Sequence, residues 1–285
     1  MGKISSLIRL MRPINCVIMG FAVFVGAILA NPSFSSGHWL NIFYGFLTGF
    51  MLTAAAMTIN DYYDRAIDAI NEPSRPIPSG LVKPNEALVL VLVLSLVGFF
   101  FAILASVLCL GVAVISWIIV VTYVTVGKRS GLPGNFLVSA CVAIPFIYGS
   151  ITVANQVQPN VLLFAAMAFL SNTGREITKG IVDVEGDRAE GVKTIAVRYG
   201  ARSAAIGAVL FYVSAVALTP LPRVLSLVSF WFIPTALITD AGLVISSILL
   251  LKDYGRENAR KIKKLVLLWF VVGLLAYVFG VLIKS

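Results

Sequence analysis

Two short segments concentrate the side chains able to do chemistry. The first reads Asn60-Asp61-Tyr62-Tyr63-Asp64-Arg65-Ala66-Ile67-Asp68. On a helix turning about 100° per residue, Asn60, Asp61, Asp64 and Asp68 fall within an arc of about 100°, so four oxygen-bearing side chains share one face. Three carboxylates held so close repel one another, more strongly where lipid and protein lower the dielectric, and cationic groups belong among them. The second segment is Asp183-Val184-Glu185-Gly186-Asp187, again with an i, i+4 pair. Asn60-x-x-x-Asp64-Arg65-Ala66 and Asp183-x-x-x-Asp187-Arg188-Ala189 align at a constant offset of 123 residues, which suggests an internal repeat. Facing each other across a bundle, two such clusters suit Mg2+, which prefers oxygen ligands and commonly bridges one or two carboxylates to substrate phosphates. Such an ion neutralises charge building on a diphosphate as its carbon–oxygen bond breaks. Arg65, Arg75, Lys128, Arg129, Lys179, Arg188 and Lys193 are interleaved with the acids and are candidates for direct phosphate contacts. Cys16, Cys109 and Cys141 lie in apolar segments without metal-ligand spacing and read as packing thiols; nothing resembles a zinc, haem or nucleophile-triad site.

The elements that must position these clusters are membrane helices. Of 285 residues, 59% are hydrophobic and 12% charged, with a mean hydropathy of +0.96, far more apolar than a soluble domain. Apolar runs of spanning length fall near 14–30, 39–62, 86–108, 110–126, 136–153, 161–178, 203–219, 224–251 and 265–283. The first follows Lys3, Arg9 and Arg12 as a secretory signal would, but Ile28 stands where cleavage after Ala30 needs a small residue, so it reads as the first span. The expected fold is therefore an all-α integral membrane protein, one domain over 1–285, with about nine transmembrane helices around a central cavity. The repeat would be helices 1–4 and 5–8, with helix 9 added. With nine spans, every Lys and Arg except Arg223 and Lys284 falls on the face that holds the N-terminus and the loops after helices 2, 4, 6 and 8. The positive-inside rule makes that face cytoplasmic and the C-terminus external, in the cell membrane. Orientation thus accounts for the net charge of +9, and neither nucleic acid nor an obligatory protein partner is implied. The basic run from Lys252 to Lys264 reads as an orientation and lipid-headgroup element.

These residues resemble the motifs of the UbiA superfamily of intramembrane prenyltransferases. Asn60, Asp61, Asp64 and Asp68 match its N-D-x-x-D-x-x-x-D motif, and Arg75-Pro76-Ile77-Pro78-Ser79-Gly80 is similar to its R-P-x-P-S-G run. Asp183 and Asp187 match its D-x-x-x-D, followed by Gly191-Val192-Lys193-Thr194. The resemblance implies that Asn60 and the five aspartates hold Mg2+, that Asp64, Asp68, Asp183 and Asp187 are catalytic, and that Arg65, Arg75, Tyr123, Lys128, Lys179, Arg188 and Lys193 bind a prenyl diphosphate. Tyr123 and Lys128 are similar to a Tyr and Lys pair in relatives, with a spacing one residue longer, and Gly180 stands where many relatives carry another Asp. Tyr63 and Tyr123 are candidates to stabilise the prenyl cation through their ring faces.

Within the superfamily, Arg9-Leu10-Met11-Arg12-Pro13-Ile14-Asn15 and Asn71-Glu72-Pro73-Ser74-Arg75 are most similar to the branch that makes archaeal ether lipids. That branch implies geranylgeranyl diphosphate as donor and a lipid-like phosphorylated acceptor, geranylgeranylglyceryl phosphate, whose phosphate Arg9, Arg12 and Asn15 would meet. An aromatic quinone or haem precursor is the alternative acceptor. From a different class, Asp240 within helix 8 and the repeat suggest a secondary transporter. A CDP-alcohol phosphotransferase is a further rival, though its D-G-x-x-A-R signature is missing.

Overall fold

The computed structural model describes residues 2–32 and 37–283; Lys284, one of the two cations assigned to the outer face, lies outside them. In chain order the helices are α1 (Lys3–Met11), α2 (Pro13–Ala30), α3 (Trp39–Tyr63), α4 (Arg65–Asn71), α5 (Pro84–Ala105), α6 (Val107–Thr125), α7 (Leu132–Ala154), α8 (Pro159–Val182), α9 (Val184–Ala189), α10 (Ile195–Leu218), α11 (Leu221–Val224), α12 (Phe232–Lys252) and α13 (Arg256–Leu282), with a 3-10 turn at Gly127–Ser130. No strand occurs among the described residues.

Eight helical stretches among the described residues are long and apolar enough to cross a membrane. The expected sixth span, α8, is not one of them, because Asn172, Arg175 and Glu176 lower its hydropathy. It nevertheless runs the length of the bundle. At one end Asn160 Nδ2 donates to the Leu29 carbonyl at the close of α2, 2.8 Å away, and at the other Lys179 lines a cavity with Arg12 from the start of α2. Protein rather than lipid surrounds its second half, where Asn172, Thr173, Gly174 and Glu176 to Thr178 are buried. Polar side chains are tolerated there because they find partners: Asn172 and Thr173 both donate to Ser139 Oγ on α7, and Thr178 pairs with Tyr212 on α10 at 3.0 Å. Outward positions on α5, α6 and α12 carry large apolar side chains such as Leu96, Ile118 and Leu237, each more than half exposed, as lipid-facing residues should be.

Neighbours follow the same order twice. α2, α3, α5 and α6 each pack on the next, and so do α7, α8, α10 and α12; α2 lies against α7, and α13 against α12, α8 and α2. The α2–α7 crossing is the tightest. A Cβ on Gly149 would stand 2.0 Å from the Val23 carbonyl oxygen, and one on Gly26 2.2 Å from that of Phe146. Two backbones touch here without side chains between them, the membrane use of small residues.

Several helix ends differ from the hydropathy boundaries for local reasons. Ser106 is extended and its hydroxyl accepts from the Cys109 N–H at 3.0 Å, so the break between the third and fourth spans falls at 106 rather than near 109. Residues 225–231 are apolar but not helical, and the eighth span starts at Phe232 rather than near 224. Gly200, at φ 84°, kinks α10 where an L side chain would be strained. Pro13 disfavours helix at the residue before it, so α1 ends at Met11; Arg12 turns the chain at φ 51° between α1 and α2, and its guanidinium pairs with Asp61 on α3.

Gly149→Ala is expected to destabilise the protein by about 1–3 kcal/mol through overpacking, read as a lower melting temperature in detergent. Gly111→Ala, where a Cβ meets nothing within 4 Å, should melt as the wild type does. Equal melting of the two variants would contradict the backbone contact.

Candidate active site

Both aspartate clusters sit where a long helix jogs into a short one. Asp64 (φ −82°, ψ 0°) separates α3 from α4, and Asp183 (φ −97°, ψ 9°) separates α8 from α9. This sparsely populated backbone region recurs at active sites. Each jog keeps its i, i+4 hydrogen bond, Asp68 N–H to Asp64 O at 2.7 Å and Asp187 N–H to Asp183 O at 2.9 Å. The jogs equate Asp64 with Asp183 and Asp68 with Asp187, a register one helical turn away from the 123-residue sequence match.

Between them lies a polar cavity of about 810 Å³, its open mouth included. Acids Asp64, Asp68, Glu72, Glu176, Asp183 and Asp187 line it with bases Arg12, Arg75, Lys128, Lys179 and Lys263, beside Asn60, Tyr123, Asn135 and Thr194. Lys128, delivered by the turn after α6, pairs with Asp64, which also accepts from Asn60 Nδ2 at 2.8 Å. Arg75 binds Asp68 at 2.5 Å and Asp61 at 3.5 Å, and Arg12 pairs with Asp61. Glu176 is held by Arg175 at 3.1 Å and Lys179 at 3.5 Å. Burial pushes the Asp68 carboxyl up to about 6 despite Arg75, and burial together with the charge of Asp183 does the same to Asp187.

The structure therefore gathers Asn60, Asp64, Asp68, Arg75, Tyr123, Lys128, Lys179, Asp183 and Asp187 into one chamber, with Arg12 at its edge. Asp61 stands behind the wall, buried and committed to two arginines. Arg65 turns away, donating to the Tyr62 carbonyl at 2.8 Å and lying over the Tyr62 ring. Arg9, Arg129, Arg188 and Lys193 are exposed and do not line the chamber. Nor does Asn15, whose amide reaches Met57 Sδ at 3.9 Å. Tyr63 is exposed. Sequence reasoning overlooked Glu176, Glu72, Asn135, Thr194 and the inward aim of Lys263. Glu176 was within reach, since positions 176, 179 and 183 continue one helix face back from the second cluster.

A second, apolar cavity of about 790 Å³ is lined by Ile18 and Ala22 of α2, Val142 and Phe146 of α7, Met167 and Ser171 of α8, and Trp269, Phe270 and Tyr277 of α13, among others. On each of these four helices its lining lies about one to four turns deeper than the polar chamber's Arg12, Asn135, Glu176 and Lys263. The apolar space thus runs beneath the polar one. Asp240 faces it and accepts from Thr219 Oγ1 at 3.0 Å, a bond between neighbouring helices.

A divalent metal fits this donor set in one particular way. Among the described residues no three His, Cys, Asp or Glu converge as a ready-made cage. The chamber offers instead two pairs of oxygen donors, Asp64 with Asp68 and Asp183 with Asp187, which suits a hard cation that takes one or two carboxylates and completes its shell with substrate phosphate. The lining carries six acids against five bases. A diphosphate entering it needs further positive charge.

The chain belongs to the UbiA prenyltransferase family, whose model matches residues 19–282, and it is a membrane-embedded transferase. It is 34% identical to the digeranylgeranylglyceryl phosphate synthase of Methanopyrus kandleri over 275 residues, 96% of this chain and 98% of that one. Among solved structures, that of a digeranylgeranylglyceryl phosphate synthase in membranes shares 30% identity at a TM-score of 0.75 over 99% of both chains. A UbiA homolog from Archaeoglobus fulgidus bound to DMAPP and Mg2+ has the same fold, with a TM-score of 0.69 and 16% identity over 96% of this chain and 99% of that one. Family membership sets aside the transporter and the CDP-alcohol phosphotransferase.

Asp64→Ala and Asp183→Ala are each expected to lower prenyl-transfer turnover at least about 10²-fold, as loss of a single group stabilising transition-state charge does, while elution and melting in detergent stay those of a folded protein. Wild-type turnover in either variant would rule out the paired-cluster site.

Proposed function

We propose that the protein transfers a geranylgeranyl group from geranylgeranyl diphosphate to the free hydroxyl of geranylgeranylglyceryl phosphate, forming the second ether bond of an archaeal membrane lipid. The observation that carries this reading is the stacking of a charged chamber directly above an apolar one inside the bilayer. Both substrates are amphiphiles, with an anionic head and a long hydrocarbon tail. The names of the relatives, which match this chain from end to end, support the choice of acceptor.

Asp64, Asp68, Asp183 and Asp187, with Asn60, would hold Mg2+, which supplies positive charge to a diphosphate as its ester bond weakens. Lys128 and Arg75 are placed to donate to the diphosphate oxygens, and the ion pairs they make with Asp64 and Asp68 fix their ammonium and guanidinium groups at the chamber wall. As the allylic C1–O bond breaks, its electron pair leaves with diphosphate. The acceptor oxygen attacks C1, and its proton passes to a motif carboxylate or to the departing diphosphate. The ring of Tyr123 lines the chamber and is placed to face positive charge on the prenyl group. Arg65, Arg188 and Lys193 serve better as surface charge beside the mouth than as phosphate ligands. We further read the two four-helix units as a parallel repeat whose second and sixth spans each supply one aspartate cluster. With α8 counted as a span, the charge distribution puts the N-terminus and the chamber on the cytoplasmic side and the C-terminus outside.

Purified protein given geranylgeranyl diphosphate with geranylgeranylglyceryl phosphate, 4-hydroxybenzoate and a dihydroxynaphthoate in competition should yield the diether phosphate by mass. Excess EDTA should stop the reaction and added Mg2+ restore it. Exclusive prenylation of an aromatic ring would move the protein to another branch of the family, and full activity in EDTA would remove the metal.

A further inference from the structure

Each base lining the polar chamber has an acid within 4 Å except Lys263. Arg12 and Arg75 are paired with Asp61 and Asp68, Lys128 with Asp64, and Lys179 with Glu176. Lys263 makes no ion pair and no hydrogen bond among the described residues, although it is half-buried on α13 and faces the chamber. Beside it the α8 wall is already rich in positive charge. Arg175 and Lys179 share the single carboxylate of Glu176, and Arg175 Nε is buried without a hydrogen-bond partner. The carboxylates that act on Lys263 are Asp183 and Glu176, neither within ion-pair distance; Asp183 belongs to the second aspartate pair and Glu176 is already held by two cations, so a half-buried ammonium here is stabilised when a further anion joins it.

Resting on the proposed function, we infer that Lys263 binds the phosphate monoester of the acceptor, at a subsite separate from that of the donor diphosphate. The donor's head belongs between the two aspartate pairs, where Lys128 and Arg75 already stand. Lys263 enters from a different element, the last helix, and the apolar cavity begins on that same helix at Trp269. Six residues of helix are about 9 Å of rise, so a phosphate at Lys263 leaves its hydrocarbon tail pointing down α13 into the apolar cavity. The N-terminal residues Arg9, Arg12 and Asn15 offer less. Arg9 is outside the chamber, Arg12 is committed to Asp61, and Asn15 faces Met57. Arg256 anchors the start of α13 to the Val182 carbonyl at 3.0 Å and to Glu185 at 3.2 Å, which fixes Lys263 relative to the second cluster.

The test compares wild type with Lys263→Ala, Lys263→Gln and Lys263→Arg, using geranylgeranylglyceryl phosphate and its phosphate-free counterpart, geranylgeranylglycerol. Losing a charge-assisted hydrogen bond should raise KM for the phosphorylated acceptor about ten- to a hundredfold in the Ala and Gln variants, leave the donor's KM unchanged, and be largely repaired by Arg. With geranylgeranylglycerol, wild type and the neutral variants should behave alike. In EDTA without donor, geranylgeranylglyceryl phosphate should raise the melting temperature of wild type but not of Lys263→Ala. An increase in the donor's KM, an equal loss with both acceptors, or an undiminished melting shift in the Ala variant would overturn the assignment. Wild type that transfers to neither acceptor would instead count against the proposed function, while the melting shift would still decide the role of Lys263.

Discussion

Charge gathered at the edge of a low-dielectric slab must be compensated locally, and most of the architecture follows from that requirement. Of the six carboxylates that line the chamber, Glu72, Asp183 and Asp187 make no ion pair among the described residues, whereas Asp64, Asp68 and Glu176 are each paired with a cation where lipid and protein have displaced water. Their partners come from widely separated parts of the chain. Lys128 arrives from the turn after α6, Arg75 from the loop after α4, and Lys179 from one turn up the same helix as Asp183. Arg12, at the break between α1 and α2, pairs with the buried Asp61. The ion pairs thus tie the helix ends together at this face.

Compensation of this kind leaves the chamber close to neutral, which suits a site that must admit an anion and later release one. A strongly basic cavity would keep the diphosphate after the bond had broken, whereas a strongly acidic one would refuse it. On the proposed function, the acid-rich jogs at Asp64 and Asp183 are where a divalent cation accompanying the substrate would adjust that balance. Within that arrangement an unpaired lysine is an exception that needs its own explanation. Lys263 stands on α13 about two turns before Trp269, where that helix meets the apolar cavity, whereas Asp183 stands about three turns beyond Ser171, the nearest lining residue of that cavity on α8.

Much of this was legible in the sequence, and what was not had physical causes. Motif spacing identified both clusters because i, i+4 acids at the end of an apolar run have few other uses. Lys263 was hidden inside the run from Lys252 to Lys264, which the positive-inside rule explains fully, so composition carried no sign that one of its members points inward. Arg65 and Arg188 looked like phosphate ligands because each follows a motif aspartate. Both are exposed, however: Arg65, next to the jog at Asp64, falls back on Tyr62, and Arg188, inside α9, lies outside the chamber lining. The residue match sets Asp64 against Asp187, whereas the backbone jogs set Asp64 against Asp183, one turn away. Hydropathy also ran through Ser106 and residues 225–231, because apolar residues in a connection read the same as apolar residues in a span.

The least apolar of the long helices shows how membrane insertion and chemistry are reconciled. α8 carries Arg175, Glu176 and Lys179 within its last turns and falls short of the hydropathy expected of a span. It can do so because α7, α10 and α13 surround it and supply hydrogen bonds to its buried polar groups. A helix in that position is shielded from lipid on most sides, so its side chains are free to face a polar chamber at one end and an apolar one further in. The equivalent helix of the first half, α3, keeps its charges for its final turn, where Asp61 is reached by arginines from outside the span. The two halves therefore contribute unequally. The first offers Asp64 and Asp68, each paired with its own cation, and the second offers Asp183 and Asp187 without ion pairs, beside a Glu176 that is held by Arg175 and Lys179.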